Sequence, residues 1–284
     1  MHISIICLIV LIILILAWVW SVGGRRHAPN ISQMDGWLYA HRGFHSKPAA
    51  PENSAEAFRR AVSRGFGIEL DVHLISDGTL VVFHDSVLKR MTGQDGILED
   101  LTAADLSRYT LGKSREHIPL FTDVLQIVDG RTPLIIELKT WKGNSSALCT
   151  AVAQVLDHYD GLYCIESFDP KVVRWYRRNR PDVIRGQLSC RFKKGSVDVN
   201  TLMRFVGTQM LENVLTRPDF VAYRFTDRSN LSNQICRKIW HLKGAAWTIK
   251  TPEQLQQALQ EGYWPIFERF DPGESQPSDS SAVH

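Results

Sequence analysis

The sequence predicts an α/β fold of the (β/α)8 TIM barrel type, preceded by one transmembrane helix. About 260 residues follow an apolar N-terminus, close to the roughly 250 that one such barrel typically needs. Short apolar runs alternate with helical patterns along them, as expected for a parallel sheet buried on both faces. Polar side chains stand late in several of these runs, at the barrel end where active sites of this fold are built.

The N-terminus predicts a membrane anchor. Residues 3–20 carry no charge, and at about 1.5 Å per residue a helix of this length spans a bilayer core of roughly 30 Å. A cleaved signal peptide is the alternative. Against it, the run is longer than the usual apolar region, no Lys or Arg precedes it, and no A-x-A-like site follows. We therefore predict an anchor over residues 1–22 and a polar linker over residues 23–36.

The flanks of this anchor predict its orientation. Arg25 and Arg26 follow it, whereas only Met1 and His2 precede it. Positive residues near a membrane span favour the cytoplasmic side, so we expect the barrel on that side of the membrane. The five cysteines agree with a reducing compartment, because they form no CxxC pair and those of the soluble part lie among apolar neighbours.

The charge balance argues against a nucleic-acid partner. The formal net charge is only +3, which is not the signature of a polyelectrolyte binder, so a small-molecule or lipid partner is expected. Basic residues are concentrated between Lys171 and Lys194, where Asp182 is the one acid. This stretch is either a solvated helix face with its loop or a surface attracted to anionic lipid headgroups. The sequence does not indicate the oligomeric state.

The first two predicted strands have charged residues at their ends. The strand at residues 37–40 stops at His41, where a following glycine allows a sharp turn. The strand at residues 67–72 alternates, so Glu69 and Asp71 point to the same side, about 7 Å apart along the strand. Each carboxylate disfavours ionisation of the other, so the pair calls for a cation. Hard oxygen ligands favour magnesium, calcium or manganese.

A helix capped by Ser54 is expected between these strands. After the second strand, a Ser-Asp-Gly turn leads into an apolar arm at residues 80–83 that ends at His84, as in a hairpin. The chain over about 75–120 is too long for a simple connection from strand to helix, so further turns and a short helix are expected there.

Regular alternation resumes with helices predicted at residues 122–128 and 145–159. The remaining strands are predicted at residues 132–139, 162–168, 184–188, 220–225, 245–249 and 264–267. The barrel as a whole is predicted over residues 37–270. Residues 271–284, rich in Ser, Asp, Pro and Gly, are predicted to form a disordered tail.

Several residues fall late in their predicted strands, and such a set at equivalent positions indicates a site better than any one of them alone. They are His41, Glu69, Asp71, Glu137, Lys139, Ser167 and Trp247. Glu69, Asp71 and Glu137 are the predicted metal ligands, since the strands that carry them are expected to be adjacent. The alternative for Glu137 is a structural ion pair with Lys139.

The other candidate residues follow from side-chain chemistry. Arg42 and Lys139 are candidates to hold a phosphate, the first through its planar fork and the second as a point charge. Imidazole titrates near neutrality, so His41 and His84 are the predicted proton-transfer groups. Trp247 is interpreted either as an apolar wall of the site or as plain core.

Four motifs in this order resemble the glycerophosphodiester phosphodiesterase family: His41-Arg42-Gly43, Pro51-Glu52-Asn53-Ser54, Glu69-Leu70-Asp71-Val72 and His84-Asp85. The tripeptides Glu137-Leu138-Lys139 and Ser167-Phe168-Asp169 and the pair Trp247-Thr248 extend the resemblance over nearly all of the soluble part.

The resemblance implies metal-dependent hydrolysis of glycerophosphodiesters to glycerol 3-phosphate and an alcohol, with Mg²⁺ or Ca²⁺ as the cofactor. It implies that one histidine activates the nucleophile and the other protonates the leaving alkoxide. It places Glu52 near the metal and the substrate, and it makes the extra chain after the second strand an inserted subdomain over the substrate entrance.

Two departures from the family pattern stand out. Ser54 replaces the usual Thr, which keeps the capping hydroxyl. Glu268 and Arg269 stand where a Thr-Asp pair is expected at the last strand end, which leaves open how the barrel closes and how the alcohol is selected. Lysophospholipase D-like action, phospholipase C-like action on inositol lipids and a catalytically inactive binding module are the alternative functions.

Overall fold

The computed structural model describes residues 2–25, 30–193, 195 and 200–273. The strands in this part of the chain are β1 (Tyr39–His41), β2 (Gly67–Leu74), β3 (Leu80–Val82), β4 (Leu134–Leu138), β5 (Tyr163–Ser167), β6 (Arg185–Ser189), β7 (Phe220–Arg224), β8 (Lys243–Ile249) and β9 (Tyr263–Phe267). All except β3 run parallel in one sheet, and the sheet closes because β1 pairs with both β2 and β9. The predicted TIM barrel is confirmed.

Helices surround this barrel. In the described residues they are α1 (His2–Ser21), α2 (Ala55–Ser63), α3 (Lys89–Thr92), α4 (Phe121–Val128), α5 (Ser145–Leu156), α6 (Pro170–Asn179), α7 (Thr201–Thr208), α8 (Asn213–Thr216), α9 (Leu231–Lys238) and α10 (Pro252–Gln260). Short 3-10 helices lie at Ile31–Met34, Leu98–Asp100, Ala103–Arg108 and Phe225–Asp227. The Ser54 hydroxyl accepts a hydrogen bond from the Ala57 N–H and so caps α2, as the sequence predicts.

The alternation along β2 determines which residues enter the barrel. Ile68, Leu70 and Val72 are fully buried in the cluster that packs against the surrounding helices. Successive residues of a strand point to opposite faces, so Glu69 and Asp71 point into the barrel. Burial of the apolar face therefore fixes the direction of both acids.

The chain between β2 and α4 forms the predicted insertion. β3 pairs antiparallel with β2, and this hairpin matches the one expected from the sequence. The rest of the insertion has its own small apolar core, in which Leu88, Leu98 and Leu111 are fully buried. This separate core makes the insertion a compact unit beside β2.

The N-terminal helix α1 contains a segment, Ser4–Ser21, long and apolar enough to cross a membrane, with a mean hydropathy of 2.9 and none of it buried. The start of the predicted linker packs against the barrel. A Cβ on Gly24 would lie 2.3 Å from the Pro218 carbonyl oxygen, and one on Gly23 would lie 2.6 Å from the Trp240 ring. These close approaches explain the paired glycines. Within the predicted tail, residues from 274 onward lie outside the described part.

Candidate active site

Strand register brings the three predicted metal ligands together. Asp71 on β2 lies opposite Glu137 on β4, and Glu69 on β2 lies opposite His41 on β1. Glu69, Asp71 and Glu137 are all buried, and each offers a carboxylate oxygen within 4.8 Å of the others. Such a set of oxygen donors could hold a metal ion.

Two basic side chains are ion-paired with this acidic cluster. The Lys139 Nζ atom lies 3.1 Å from Asp71 Oδ1 and 2.9 Å from Glu137 Oε2. The Arg42 Nε atom lies 3.5 Å from Asp71 Oδ2, and the backbone N–H of Arg42 donates to Glu69 Oε2 at 3.1 Å. The Arg42 backbone has φ 56°, a left-handed conformation that is unusual for a non-glycine residue and often marks a functional site. Both predicted phosphate-binding residues therefore border the cluster.

The electrostatics of the cluster favour a bound cation. Burial raises the pKa of Glu69 well above its ordinary value, and the charges of Asp71 and Glu137 raise it further. Burial also raises the pKa of Glu137 to about 7, although Lys139 opposes this shift. Burial acts in the same direction on Asp71, but Lys139 and His84 lower its pKa overall. The two nearby cations thus leave Glu69 and Glu137 poorly stabilised as anions, and this donor set fits a hard divalent metal.

His41 is held by a carboxylate that the sequence did not single out as a partner. Its Nδ1 atom lies 2.7 Å from Glu268 Oε2, at the end of β9. Its Nε2 atom lies 3.8 Å from Glu69 Oε2, beside the acidic cluster. Burial lowers the pKa of His41 to about 4, although the hydrogen bond with Glu268 acts in the opposite direction. An acceptor at Nδ1 fixes the proton there and leaves Nε2 to act on a substrate.

His84 has a similar arrangement at the base of the insertion. Its Nδ1 atom lies 2.5 Å from Asp85 Oδ1, and Asp85 in turn accepts a hydrogen bond from Arg90. Arg90 also donates to both Glu52 oxygens, at 2.7 and 3.0 Å. Burial lowers the pKa of His84, and the charge of Asp71 opposes that shift. The insertion therefore supplies Arg90, which links Asp85 to Glu52 in the loop between β1 and α2.

Glu52 lies in ion pairs outside the acidic cluster. It accepts a hydrogen bond from Arg42 at 2.6 Å in addition to those from Arg90. Burial opposes its ionisation, but the hydrogen bond from Arg90 and the charge of Arg42 lower the pKa of Glu52 to about 2. The neighbouring Asn53 donates to Asp71 Oδ2 at 2.8 Å. Glu52 thus orients Arg42, and Asn53 orients a predicted metal ligand.

One pocket collects most of the predicted residues. It is lined by His41, Arg42, Glu69, His84, Glu137, Lys139 and Trp247, together with Glu166 and apolar side chains that include Phe168. The rings of Phe168 and Trp247 meet edge to face with centroids 5.6 Å apart, and these residues form the apolar wall of the pocket. Glu52 lines an adjoining cleft.

Two polar residues near the candidate site, Ser167 and His73, make structural contacts instead. The Ser167 hydroxyl donates to the Leu138 carbonyl oxygen at 2.7 Å, so this predicted strand-end residue does not face the pocket. His73 is buried, with its Nδ1 atom 2.7 Å from Glu99 Oε1 at the base of the insertion. The residue before Ser167, Glu166, is the one that reaches the pocket, as alternation along β5 requires.

A model of the glycerophosphoryl diester phosphodiesterase family matches residues 41–267 of the chain. The chain belongs to this family. The matched range includes every residue of the site described above except Glu268, so the family resemblance carried by the sequence motifs is confirmed.

Curated relatives agree with the family match. A glycerophosphodiester phosphodiesterase of Caldanaerobacter subterraneus subsp. tengcongensis is 31% identical over 163 residues, which is 53% of this chain and 65% of that protein. A human lysophospholipase D is 32% identical over 123 residues, 38% of each protein. These matches therefore span between 38% and 65% of the relatives' lengths.

Solved structures share the fold. A phosphodiesterase of Oleispira antarctica, determined in complex with the product sn-glycerol 3-phosphate, has a TM-score of 0.67 at 22% identity, covering 82% of this chain and 92% of that chain. A glycerophosphodiester phosphodiesterase of Thermotoga maritima has a TM-score of 0.61 at 25% identity, covering 81% and 94%.

The departure from the glycerophosphodiester phosphodiesterase pattern at the last strand has a local explanation. The barrel closes normally there, because β9 pairs with β1. Glu268 follows β9 directly and provides the carboxylate that holds His41. Burial opposes its ionisation, but the hydrogen bond from His41 and the nearby Lys250 lower the pKa of Glu268 to about 2. The position left open by the sequence thus orients a predicted catalytic histidine.

Proposed function

We propose that this protein hydrolyses glycerophosphodiesters to glycerol 3-phosphate and an alcohol in a metal-dependent reaction of phospholipid metabolism. The observation that carries the proposal is the convergence of two carboxylate-held histidines and three buried acids at one end of the barrel. Membership of the family and the names of the curated relatives support the same activity. An inactive binding module would not require this complete set.

Glu69, Asp71 and Glu137 are the proposed ligands of a divalent cation, Mg²⁺ or Ca²⁺. When bound, such an ion polarises a phosphoryl oxygen and neutralises charge that develops in the transition state. Arg42 and Lys139 are proposed to bind the phosphate, and Glu52 to hold Arg42 in position for it. Trp247, stacked edge to face against Phe168, is proposed as the wall that the glycerol moiety contacts.

The two histidines are proposed to divide the proton transfers. His41 Nε2 lies beside the acidic cluster, so we assign it as the base that accepts the proton of the attacking hydroxyl. The side chain of His84 is 30% exposed, compared with 12% for His41, and it lies at the base of the insertion. That position suits the acid that gives a proton to the departing alkoxide, since the alcohol must leave toward solvent.

The N-terminal helix is proposed to anchor the protein in a membrane, with the catalytic domain on the cytoplasmic side. Its length and composition support a span, and the five unpaired cysteines agree with a reducing compartment. Treatment of intact cells with protease is the test, since the barrel cysteines are buried and a thiol reagent would miss them. Protection until lysis is expected, and cleavage in intact cells would place the barrel outside.

Lysophospholipase D-like activity is the second candidate, favoured by the human lysophospholipase D among the relatives and by the apolar wall of the pocket. A substrate panel separates the two. Glycerophosphocholine, glycerophosphoethanolamine, glycerophosphoglycerol and lysophosphatidylcholine would each be incubated with magnesium, calcium or chelator. Glycerol 3-phosphate released only with metal supports the first proposal. Phosphocholine as the product, or turnover unaffected by chelator, would contradict both.

A further inference from the structure

The N-terminal helix runs alongside α9 in the same direction. The Trp18 Nε1–H donates to Ser232 Oγ at 3.3 Å near the start of α9, and the Cys236 thiol donates to the Val22 carbonyl oxygen at 3.2 Å one turn later. The four-residue step from Trp18 in α1 to Val22, directly after it, therefore matches the four-residue step from Ser232 to Cys236 in α9. The Asn213 side chain, at the start of α8, also donates to the Val22 carbonyl oxygen, at 2.9 Å. These contacts fix the end of α1 on the side of the barrel.

This direction determines where the rest of α1 goes. α9 follows β7 and precedes β8, so it begins at the end of the barrel that holds the candidate active site. A helix parallel to α9 has its own N-terminal part on that same side. Large side chains from Ile5 to Leu16 are exposed, whereas Trp18 and Val19 are partly buried against the barrel. The apolar part of α1 thus projects beyond the catalytic end of the barrel.

Exposed apolar side chains lie beside the point where α1 leaves the barrel. α7 buries none of its residues, and Leu202, Met203 and Phe205 are 68%, 52% and 57% exposed. Leu231, the first residue of α9, is 60% exposed. A helix as short as α7 is marginal in water by itself, and a cluster of exposed large apolar residues marks an interaction surface. We call these four residues the apolar rim.

Contacts connect the apolar rim to the end of the membrane segment. Ser232, which accepts the hydrogen bond from Trp18, donates to Gln209 at 2.8 Å, directly after α7. The end of α7 therefore lies at the level of Trp18. Tryptophan is typical of the boundary between the bilayer core and water, where Trp18 and Trp20 would then lie.

Aromatic contacts connect α7 to the pocket. A Cβ on Gly207 would lie 2.8 Å from the Phe192 ring, so this ring packs closely on α7. Phe192 meets Phe168 with ring centroids 5.9 Å apart, and Phe168 belongs to the apolar wall. The rings of Phe192 and Phe168 thus connect α7 to the pocket, and this connection is the route proposed for a lipid chain.

We propose that the catalytic end of the barrel rests on the bilayer that α1 spans, with the apolar rim inserted among the lipid headgroups. The occupant of the rim is lipid, because α1 brings this surface to the membrane. The pocket then opens toward the bilayer surface. Lysophospholipids are the phosphodiesters that suit this arrangement, because their single acyl chain could lie along Phe192 and Phe168 while the phosphate enters the pocket. This choice of substrate rests on the proposed function, whereas the membrane contact does not.

The membrane contact can be tested without activity. The full-length protein with Cys7→Ser would carry Leu202→Cys or Phe205→Cys labelled with nitrobenzoxadiazole, in vesicles of phosphatidylcholine and phosphatidylglycerol. Leu259→Cys is the matched control, because Leu259 is 49% exposed near the end of α10, on the side away from the catalytic end. Blue-shifted emission and quenching by spin-labelled lipids are expected for the first two labels only. If these labels behaved like the control, the proposal would be wrong.

The substrate route is tested by a charged substitution. Phe205→Asp should lower hydrolysis of lysophosphatidylcholine in vesicles by about tenfold, as expected for inserting a charge where apolar burial occurs, and leave that of glycerophosphocholine within about twofold. Leu259→Asp should change neither rate. An equal loss on both substrates, or none on either, would overturn the route. If the unmodified protein hydrolysed neither substrate, the proposed function would fail while the labels would still decide the membrane contact.

Discussion

The two histidines of the candidate site are held by different parts of the molecule. His41 is bonded to Glu268 across the closure of the barrel, between the first and last strands. The imidazole of His84 is hydrogen-bonded to the side chain of the next residue, Asp85, and Arg90 of the insertion donates a hydrogen bond to Asp85. One proposed proton-transfer group is thus positioned by the barrel, and the other by the insertion. Changes in the barrel and changes in the insertion are therefore expected to affect the two proposed proton transfers separately.

The largest expected effect is the loss of either histidine. His41→Ala and His84→Ala should each lower the rate by at least about 100-fold, the usual contribution of one proton transfer. Steady-state rates on glycerophosphocholine measure the effect, with circular dichroism as a check of folding. His117→Ala, at an exposed position of the insertion, is the control and should leave the rate unchanged. A folded variant of either histidine that kept more than about a tenth of the rate would remove that residue from the mechanism.

The next effect concerns the acidic cluster, which both histidines flank. Glu69→Gln, Asp71→Asn and Glu137→Gln should each weaken metal binding by about tenfold or more, because hard cations prefer charged oxygen ligands. Titration calorimetry with Mg²⁺ or Ca²⁺ measures this, and excess metal should partly restore activity.

Glu166→Gln is the matched control for the cluster. Glu166 is buried in the same pocket, but it is not one of the three carboxylates that meet. Burial raises its pKa well above the ordinary value, so the neutral amide resembles its protonated form. Its metal affinity should stay close to that of the unmodified protein. Unchanged affinity in all three cluster variants, or an equal loss in Glu166→Gln, would contradict the proposed ligand set.

The sequence predicts the barrel and the cluster for the same physical reason. Apolar residues alternate with Glu69 and Asp71 on β2, so burial of one face directs both acids inward. The register that brings Glu137 beside Asp71 follows from adjacent parallel strands. Patterns of this kind are local, and they can be read from short stretches of sequence.

Long-range partners cannot be predicted in this way. Glu268 is 227 positions from His41, and only closure of the barrel brings them together. Arg90 reaches Glu52 through the folding of the insertion. The position of Ser167 late in a strand predicts that it faces the pocket, but its hydroxyl donates a hydrogen bond to the backbone, and Glu166 faces inward instead. Position along a strand does not specify the direction of the side chain unless the alternation is also read.

A moderate effect is expected from the carboxylates that hold the histidines. Glu268→Gln should lower kcat by about tenfold to 100-fold with little change in KM, as for other residues that orient a catalytic imidazole. Asp85→Asn should cost less, because His84 is more exposed and can be reoriented by water. Glu268→Asp, which keeps the charge, should recover part of the rate. If Asp85→Asn lowered kcat more than Glu268→Gln, the expectation that the histidine held by the barrel depends more on its carboxylate would be wrong.

The smallest effect is expected for the arginine that ties the insertion to the first loop. Arg90→Ala removes ion pairs in which the Arg90 side chain is 45% exposed, although its partners Glu52 and Asp85 are only 14% and 25% exposed, so the loss of stability should be about 1 kcal/mol for each. The rate should fall only a few-fold, through looser positioning of His84. Urea denaturation measures the stability, and Lys89→Ala, which removes an exposed ion pair nearby, is the control. A loss as large as that of His84→Ala would make Arg90 part of the chemistry.

The division of labour between the two histidines is tested most directly by changing the leaving group. The leaving group of a p-nitrophenyl ester of glycerol phosphate is p-nitrophenolate, which departs without needing a proton. Hydrolysis of this substrate therefore does not require a general acid. On this substrate the rate of His84→Ala should approach that of the unmodified protein, whereas His41→Ala should remain impaired. Recovery of His41→Ala instead, or equal impairment of both variants, would contradict the assignment of His41 as base and His84 as acid.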